Sequence, residues 1–414
     1  MSYKMHHQES TRLSLFLLLV FSLFLSFYFG ENSSGGSRLD NQITRPFIDN
    51  FNQGIFEGFN YFISSNQVQS PFFYIFVSSL EKVFGIFFTK FSYILISSFI
   101  PLIFYTSLKK KFRNTNRNYL FFFSLLIFLS PYFRSSSVWM TTDNFALLFF
   151  ILSVSKFLCL KKGSSTKEII VCLIYLSIAT YIRQYYIVFF IFYFVKLFKI
   201  YNLKKNFKLI IYLTAIFVPY FIYYYFVLIQ YLSNYELNNN QDSIFKFSVI
   251  SNILVFLSLY FFYTIPFYFN VFKTFKKIFT IRKLLICISA LIVFVFIVFF
   301  NPINFNEFGG GIFFKISKIF NNNLLFYFSA YFGFLLLLLN LNLNNFIIYL
   351  CIAFSFPVAI IYQKYFDPLL ILSLTTITIG GQLNKIIGEN KINLIILFLY
   401  FGLFLLGSNF YYSQ

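Results

Sequence analysis

Phe91–Leu108 reads FSYILISSFIPLIFYTSL, and Lys109–Arg117 directly after it reads KKKFRNTNR. The first stretch carries no charge. A helix needs roughly 17–25 mostly apolar residues to cross the hydrocarbon of a bilayer. The second stretch carries five Lys or Arg and no carboxylate. Loops of that kind stay on the cytoplasmic side of a membrane. Together they read as a spanning helix that ends on a cytoplasmic loop, and the same pattern recurs along the chain.

Outward from there, the apolar runs are Leu13–Phe29, Phe91–Leu108, Tyr119–Phe133, Asp143–Leu160, Glu168–Tyr181, Tyr185–Phe198 and Leu209–Leu232. Phe247–Val271, Leu284–Phe300, Leu324–Leu339, Phe346–Tyr362, Asp367–Ile379 and Leu394–Leu406 follow. The expectation is an all-α polytopic membrane protein of about 13 transmembrane helices, residues 1–414 forming one transmembrane domain. The flank Phe27-Tyr28-Phe29-Gly30-Glu31 lacks a small-x-small cleavage site, so the first run reads as an uncleaved anchor.

Charge tests that threading independently. With the N-terminus inside, the inner loops are Lys109–Arg117, Lys161–Lys167, Lys199–Lys208 and Lys273–Lys283, all basic and free of carboxylates. Of 13 Asp and Glu, only Glu9, Glu168 and Glu389 then fall inside, and the other ten fall on or near the outer face. A wrong parity would scramble this segregation.

Composition agrees. The chain is 59% hydrophobic and 11% charged, whereas soluble domains carry about 25% charged residues. Its net charge of +20 comes from short basic loops, so nucleic acid is not the implied partner; the lipid bilayer is. The 69 Phe residues read mainly as codon bias from an A+T-rich genome. Cys159, Cys172, Cys287 and Cys351 sit in or beside apolar runs and fit neither a disulfide framework nor a zinc site.

One connection is long. Residues 30–90 form an outer loop with a polar Ser/Gly/Asn stretch, then Phe51–Ile63 and Pro71–Phe88. These last two mix aromatic and polar residues and read as helices lying in the membrane interface. A smaller outer loop, Asn301–Lys318, holds Gly309-Gly310-Gly311. No internal repeat is visible.

Four clusters on the outer side could carry chemistry. Asp49, in Arg45-Pro46-Phe47-Ile48-Asp49-Asn50, could accept a proton or cap a helix beginning near Asn50, and spacing alone favours the cap. Asp40 is the reserve carboxylate and Glu57 a weaker one. Arg134 and Asp143 flank Trp139, an arrangement that also suits an aromatic belt and a helix cap. Arg183, in Tyr181-Ile182-Arg183-Gln184-Tyr185-Tyr186, could snorkel to headgroups or clamp a phosphate. Lys364 lies in Tyr362-Gln363-Lys364-Tyr365-Phe366-Asp367-Pro368. One acid with three cations at one face suits transfer from a lipid-linked phosphate, a leaving group that needs no acid donor.

At these residues the chain resembles the C superfamily of glycosyltransferases (GT-C), and most of all the dolichyl-phosphate-glucose-dependent α-1,2-glucosyltransferase family. Ile48-Asp49-Asn50-Phe51-Asn52 stands where that family has Asp-Glu followed by Phe-His. Pro71-Phe72-Phe73-Tyr74 resembles its Pro-Gly-x-Tyr, and Thr141-Thr142-Asp143 its Tyr-Thr-Asp. Arg183-Gln184-Tyr185-Tyr186-Ile187 resembles its Arg-Gln-Thr-Asn-Ile, and Lys364-Tyr365-Phe366-Asp367-Pro368 its Arg-Tyr-Phe-x-x-Pro. The departures are Asn50 for the second acid, Asn52 for the His and Lys364 for the Arg.

The resemblance implies an inverting hexosyl transfer on the periplasmic or luminal face. The donor is a polyprenyl-phosphate sugar and the acceptor a hydroxyl of a lipid-linked or surface glycan. Asp49 is implied as the base. Asp143, Arg183, Gln184, Lys364 and Tyr365, in the matched motifs, are implied as donor-phosphate and substrate contacts; Arg134 joins them from the charge cluster alone, and no metal or cofactor is expected. A flippase or polymerase of lipid-linked saccharides shares the size and the basic inner loops, but transporters more often carry mid-span charges or inverted repeats. Short loops and composition point to a bacterial inner membrane. The sequon Asn32-Ser33-Ser34 keeps the endoplasmic reticulum as the alternative.

Overall fold

The computed structural model describes residues 2–65, 69–161, 164–201, 217–218, 225, 249–269, 281–300, 309–355, 361–389 and 392–413. Every regular element among the described residues is helical. That is what lipid demands of a chain whose backbone groups must pair within each segment.

The first helix, α1 (Ser2–Tyr28), is apolar and largely uncovered, with Leu13, Leu17, Leu18 and Phe21 all exposed. Two of its serines bond to the helix's own backbone: Ser22 donates to the Leu19 carbonyl and Ser26 to that of Ser22. The long connection that follows is mostly helix. α2 spans Ser37–Gln53, α3 spans Ile55–Ser64, and α4 spans Phe72–Lys111.

α2 corrects the sequence reading, which placed a polar stretch there and began a helix near Asn50. Asp49 lies in the last turn of this helix and caps nothing. Polar residues and Pro46 obscure the helix, yet Thr44, Phe47, Ile48 and Phe51 are buried at spacings that return to one helical face. A second correction concerns α4. The expected interfacial helix Pro71–Phe88 and the expected span Phe91–Leu108 are one element broken at Gly85 (φ 76°, ψ 163°). Only glycine enters that conformation without strain.

Among the described residues four helices are long and apolar enough to cross a membrane: Ser10–Tyr28, Phe72–Lys111, Ile250–Tyr268 and Leu394–Tyr412. Two bent pairs raise the number to six if each is one span: Arg117–Leu129 with Pro131–Trp139 (65°), and Gln363–Thr376 with Gly381–Gly388 (78°). These long apolar helices fit an integral membrane protein. Among the described residues this is fewer than the expected total of about 13, and at two of the expected spans the reason is physical. The run Tyr119–Phe133 is broken by Pro131, which opens a new helix capped by Ser130 through a 3.0 Å bond from the Phe133 amide. α7 (Thr142–Phe157) has 16 residues and rises only about 24 Å, short of a hydrocarbon core of about 30 Å. All but three residues of the expected span Leu209–Leu232 lie outside the described residues, as do most of the loops Lys199–Lys208 and Lys273–Lys283.

Contacts group the chain into two compact units, residues 1–240 with 401–414, and residues 241–400. In the first unit, α2 packs on α3 and α4, α4 packs along α7, and α7 packs along α8 (Thr166–Ile182). Phe47 stacks on Tyr74 at 5.2 Å, and Phe73 meets Phe145 at 5.8 Å. After a short 3₁₀ turn, α9 runs over Val188–Tyr201. In the second unit, α10 (Val249–Tyr268) packs on α13 (Leu324–Leu339). A side chain on Gly333 would stand 1.9 Å from the Leu257 carbonyl oxygen, so the two backbones meet directly. Between these helices in sequence lie α11 (Ile281–Phe300) and α12 (Ile312–Ile319). α14 (Leu343–Ala353), α15 (Leu369–Thr376), α16 (Gly381–Gly388) and α17 (Leu394–Ser413) complete the chain.

Candidate functional site

The helix α2 places Arg45 and Asp49 one turn apart, 2.5 Å from guanidinium to carboxylate. Arg45 also grips Glu81 of α4 through two parallel bonds of 2.7 and 2.8 Å. This is the fork-to-fork geometry in which Arg binds carboxylates best. Asn52 donates to the same carboxylate at 2.9 Å and accepts from Ser78 at 2.8 Å. Burial opposes the charge on Arg45, but Glu81 and Asp49 overcome it and raise its pKa above the ordinary value. The two carboxylates differ sharply in access: the side chain of Glu81 is 4% exposed and that of Asp49 48%. Glu81 anchors the group, and Asp49 is its accessible member.

A second pair forms where α7 begins and α8 ends. Arg183 Nη2 lies 2.9 Å from Asp143 Oδ2, and both side chains are mostly buried. Thr141 is the N-cap residue of α7, and its hydroxyl donates to Asp143 at 3.1 Å. Asp143 Oδ1 is buried without a hydrogen-bond partner. Tyr93 of α4 donates to the Thr141 carbonyl and accepts from the Phe145 amide at 3.2 Å, which fixes this end of α7 against α4. Gln184 opens the 3₁₀ turn Gln184–Ile187 beside Arg183 and is half-buried.

Arg134 has a different setting. It is buried, and its donors go to Glu31 at 2.8 and 3.0 Å, to Ser22 at 3.1 Å, to Ser26 and to the Phe128 carbonyl. Burial would raise the Glu31 pKa, but the bond and charge of Arg134, helped by Ser26 and Ser33, hold it below the ordinary range. The implied phosphate contact at Arg134 is thus the core of an ion pair that ties α1 to α6 (Pro131–Trp139). Trp139 donates to the Glu31 carbonyl at 2.8 Å.

Lys364 and Tyr365 belong to the second unit, in a 3₁₀ turn over Gln363–Tyr365. The Lys364 ammonium lies over the Tyr362 and Tyr365 rings, at 5.4 and 5.8 Å. Gln363 holds the turn in place: it accepts from the Ile312 amide at 3.0 Å and donates to Tyr263 at 3.1 Å.

Of the residues expected from sequence, the structure joins Asp143 to Arg183, and it joins Asp49 to Arg45, which in turn binds the Glu81 carboxylate shared with Asn52. Glu81 and Glu31 had no sequence signal as partners, because each lies far from its arginine along the chain. Arg45, four residues before Asp49, had one. Among the described residues no three His, Cys, Asp or Glu gather to hold a metal ion. No protein-family model matches the chain, and neither a curated protein nor a solved structure matches it.

Proposed function

We propose that the chain is an inverting membrane glycosyltransferase of the GT-C type. It moves a hexose from a polyprenyl-phosphate donor to a hydroxyl of a lipid-linked or surface glycan, on the periplasmic face of a bacterial inner membrane. The supporting observation is Asp49: an exposed carboxylate held by an arginine that a buried glutamate fixes in turn. A general base needs both access and a set position. Asp49 takes the proton of the acceptor hydroxyl, and the oxygen attacks the anomeric carbon from the face opposite the phosphate. The bond from that carbon to the phosphate oxygen breaks, and the electron pair leaves with the phosphate. The Asp143–Arg183 pair is a second ordered polar group in the same unit, mostly buried.

The test is to incubate the purified full chain with polyprenyl-phosphate hexoses and lipid-linked acceptors and to read products by mass spectrometry and anomeric NMR couplings. A new glycosidic bond of inverted configuration is expected. Movement of labelled lipid across vesicles without a new bond would instead establish the flippase reading.

A further inference from the structure

The two arginines of the first unit that the sequence marked for phosphate, Arg134 and Arg183, are already matched to carboxylates, and so is Arg45. Arg134 faces Glu31, Arg183 faces Asp143, and Arg45 faces both Glu81 and Asp49. Lys90 is arranged differently. It stands on α4 just past the Gly85 break, half-buried, close enough to Arg45 and Glu81 to feel both charges. Among the described residues it makes no hydrogen bond and no ion pair, so its three ammonium protons are not directed at any protein acceptor. An ammonium drawn partly out of water gains most from a charged acceptor that meets those protons directly. The neighbouring Arg45 guanidinium adds to the pull on an anion.

The surroundings specify what carries that anion. Phe84, Phe87, Phe88 and Phe91 lie on the same stretch of α4 and are exposed, Phe91 and Phe87 along the edges that they do not turn to Phe24 and Phe27 of α1. A ligand that reaches Lys90 therefore passes an apolar, aromatic surface. That combination, a half-buried cation near a polar cluster with partly exposed aromatic rings along the same helix, suits an amphiphile with an anionic head.

We infer that Lys90 is the phosphate-binding cation of the first unit, taking the head of a lipid phosphate whose hydrocarbon chain lies along the exposed aromatic face of α4. The inference deepens the transferase reading by naming the group that meets the donor phosphate. It rests on that reading only for the identity of the lipid.

The experiment measures binding without turnover, so its failure is distinct from failure of the transferase reading. The full chain in phosphatidylcholine nanodiscs is titrated with farnesyl phosphate and, separately, with farnesol. Farnesyl phosphate should bind and farnesol should not compete with it. Lys90→Ala should weaken binding about tenfold or more, the scale of a charged hydrogen bond, and Lys90→Arg should restore most of it. Lys82→Ala, at an exposed lysine on the same helix, should change nothing. Phosphatidylglycerol added to the nanodiscs separates the two sources of phosphate. Competition assigns the site to a bilayer headgroup and no competition to a prenyl monoester, and Lys90 is the ligand in both cases. Equal binding by wild type and Lys90→Ala, or equal binding of farnesol, overturns the inference.

Discussion

Glu81 and Arg45 meet through two parallel hydrogen bonds, 2.7 and 2.8 Å long, that join the amphipathic helix α2 to α4. Glu81 is nearly inaccessible while Arg45 keeps some contact with solvent. Removing one partner of such a pair leaves the other charge poorly matched, at a cost that partial solvation reduces. Glu81→Gln should lower stability by about 1–3 kcal/mol, read as a fall in the thermal midpoint of the purified protein. An unchanged midpoint would mean that the pair does not hold α2 on α4.

The Glu31–Arg134 pair makes stability depend on pH. Folded Glu31 titrates below its ordinary value of 4.5 because Arg134 outweighs the effect of burial. A depressed carboxyl pKa stabilises the native state at pH values above the unfolded pKa, and that contribution fades as pH falls through the folded one. The gap in thermal midpoint between wild type and Glu31→Gln should be full at neutral pH and should shrink below about pH 4.5. A gap that widens on acidification would contradict the assignment.

Gly333 reports on the contact between α10 and α13. A methyl group there collides with the backbone oxygen of Leu257, which cannot swing aside as a side chain could. Gly333→Ala should destabilise by about 1–3 kcal/mol, as overpacking does. Gly402→Ala serves as the control, since a side chain at that position meets nothing within 4 Å. Equal thermal midpoints for the two variants would show that the helices do not approach so closely.

Loop charge sets the expected sidedness. In a chain whose native cysteines are replaced by alanine, Asn60→Cys and Asn114→Cys both sit at exposed positions. The first should react with an impermeant maleimide from outside intact cells, and the second only after permeabilisation. The reverse pattern would invert the topology and move Asp49 to the cytoplasmic side.

Some of this was legible in the sequence and some was not. α1 was readable because a long uncharged run has few alternatives to a helix in lipid. The turn at Ser130-Pro131 was readable too, as a cap followed by proline in the first helical position, yet the apolar run across it concealed the break. α2 escaped because its buried residues, Thr44, Phe47, Ile48 and Phe51, are few among polar ones. The chemistry divides along the same line. Asp49 and Arg183 stood out by local context, and Asp143 by its place at the start of a span. The partners that decide what those groups can do, Glu81 for Arg45 and Glu31 for Arg134, are separated from them by 36 and 103 residues. Only the packing of α4 on α2, and of α6 on α1, brings them together.

The most direct test of the central claim is hexose transfer by wild type and Asp49→Asn at matched protein levels, from a polyprenyl-phosphate hexose to a lipid-linked acceptor. The amide keeps the shape of the side chain and a bond to Arg45 but has no usable proton affinity near neutral pH. Asp49 lies inside α2 and caps nothing, so the substitution removes no helix cap. The variant should fold with a near-normal thermal midpoint and lose about 10²–10⁴-fold in turnover, with donor binding largely kept. Turnover equal to wild type in Asp49→Asn would contradict the account. If Asp40→Asn alone proved inactive in that case, the base would move to Asp40.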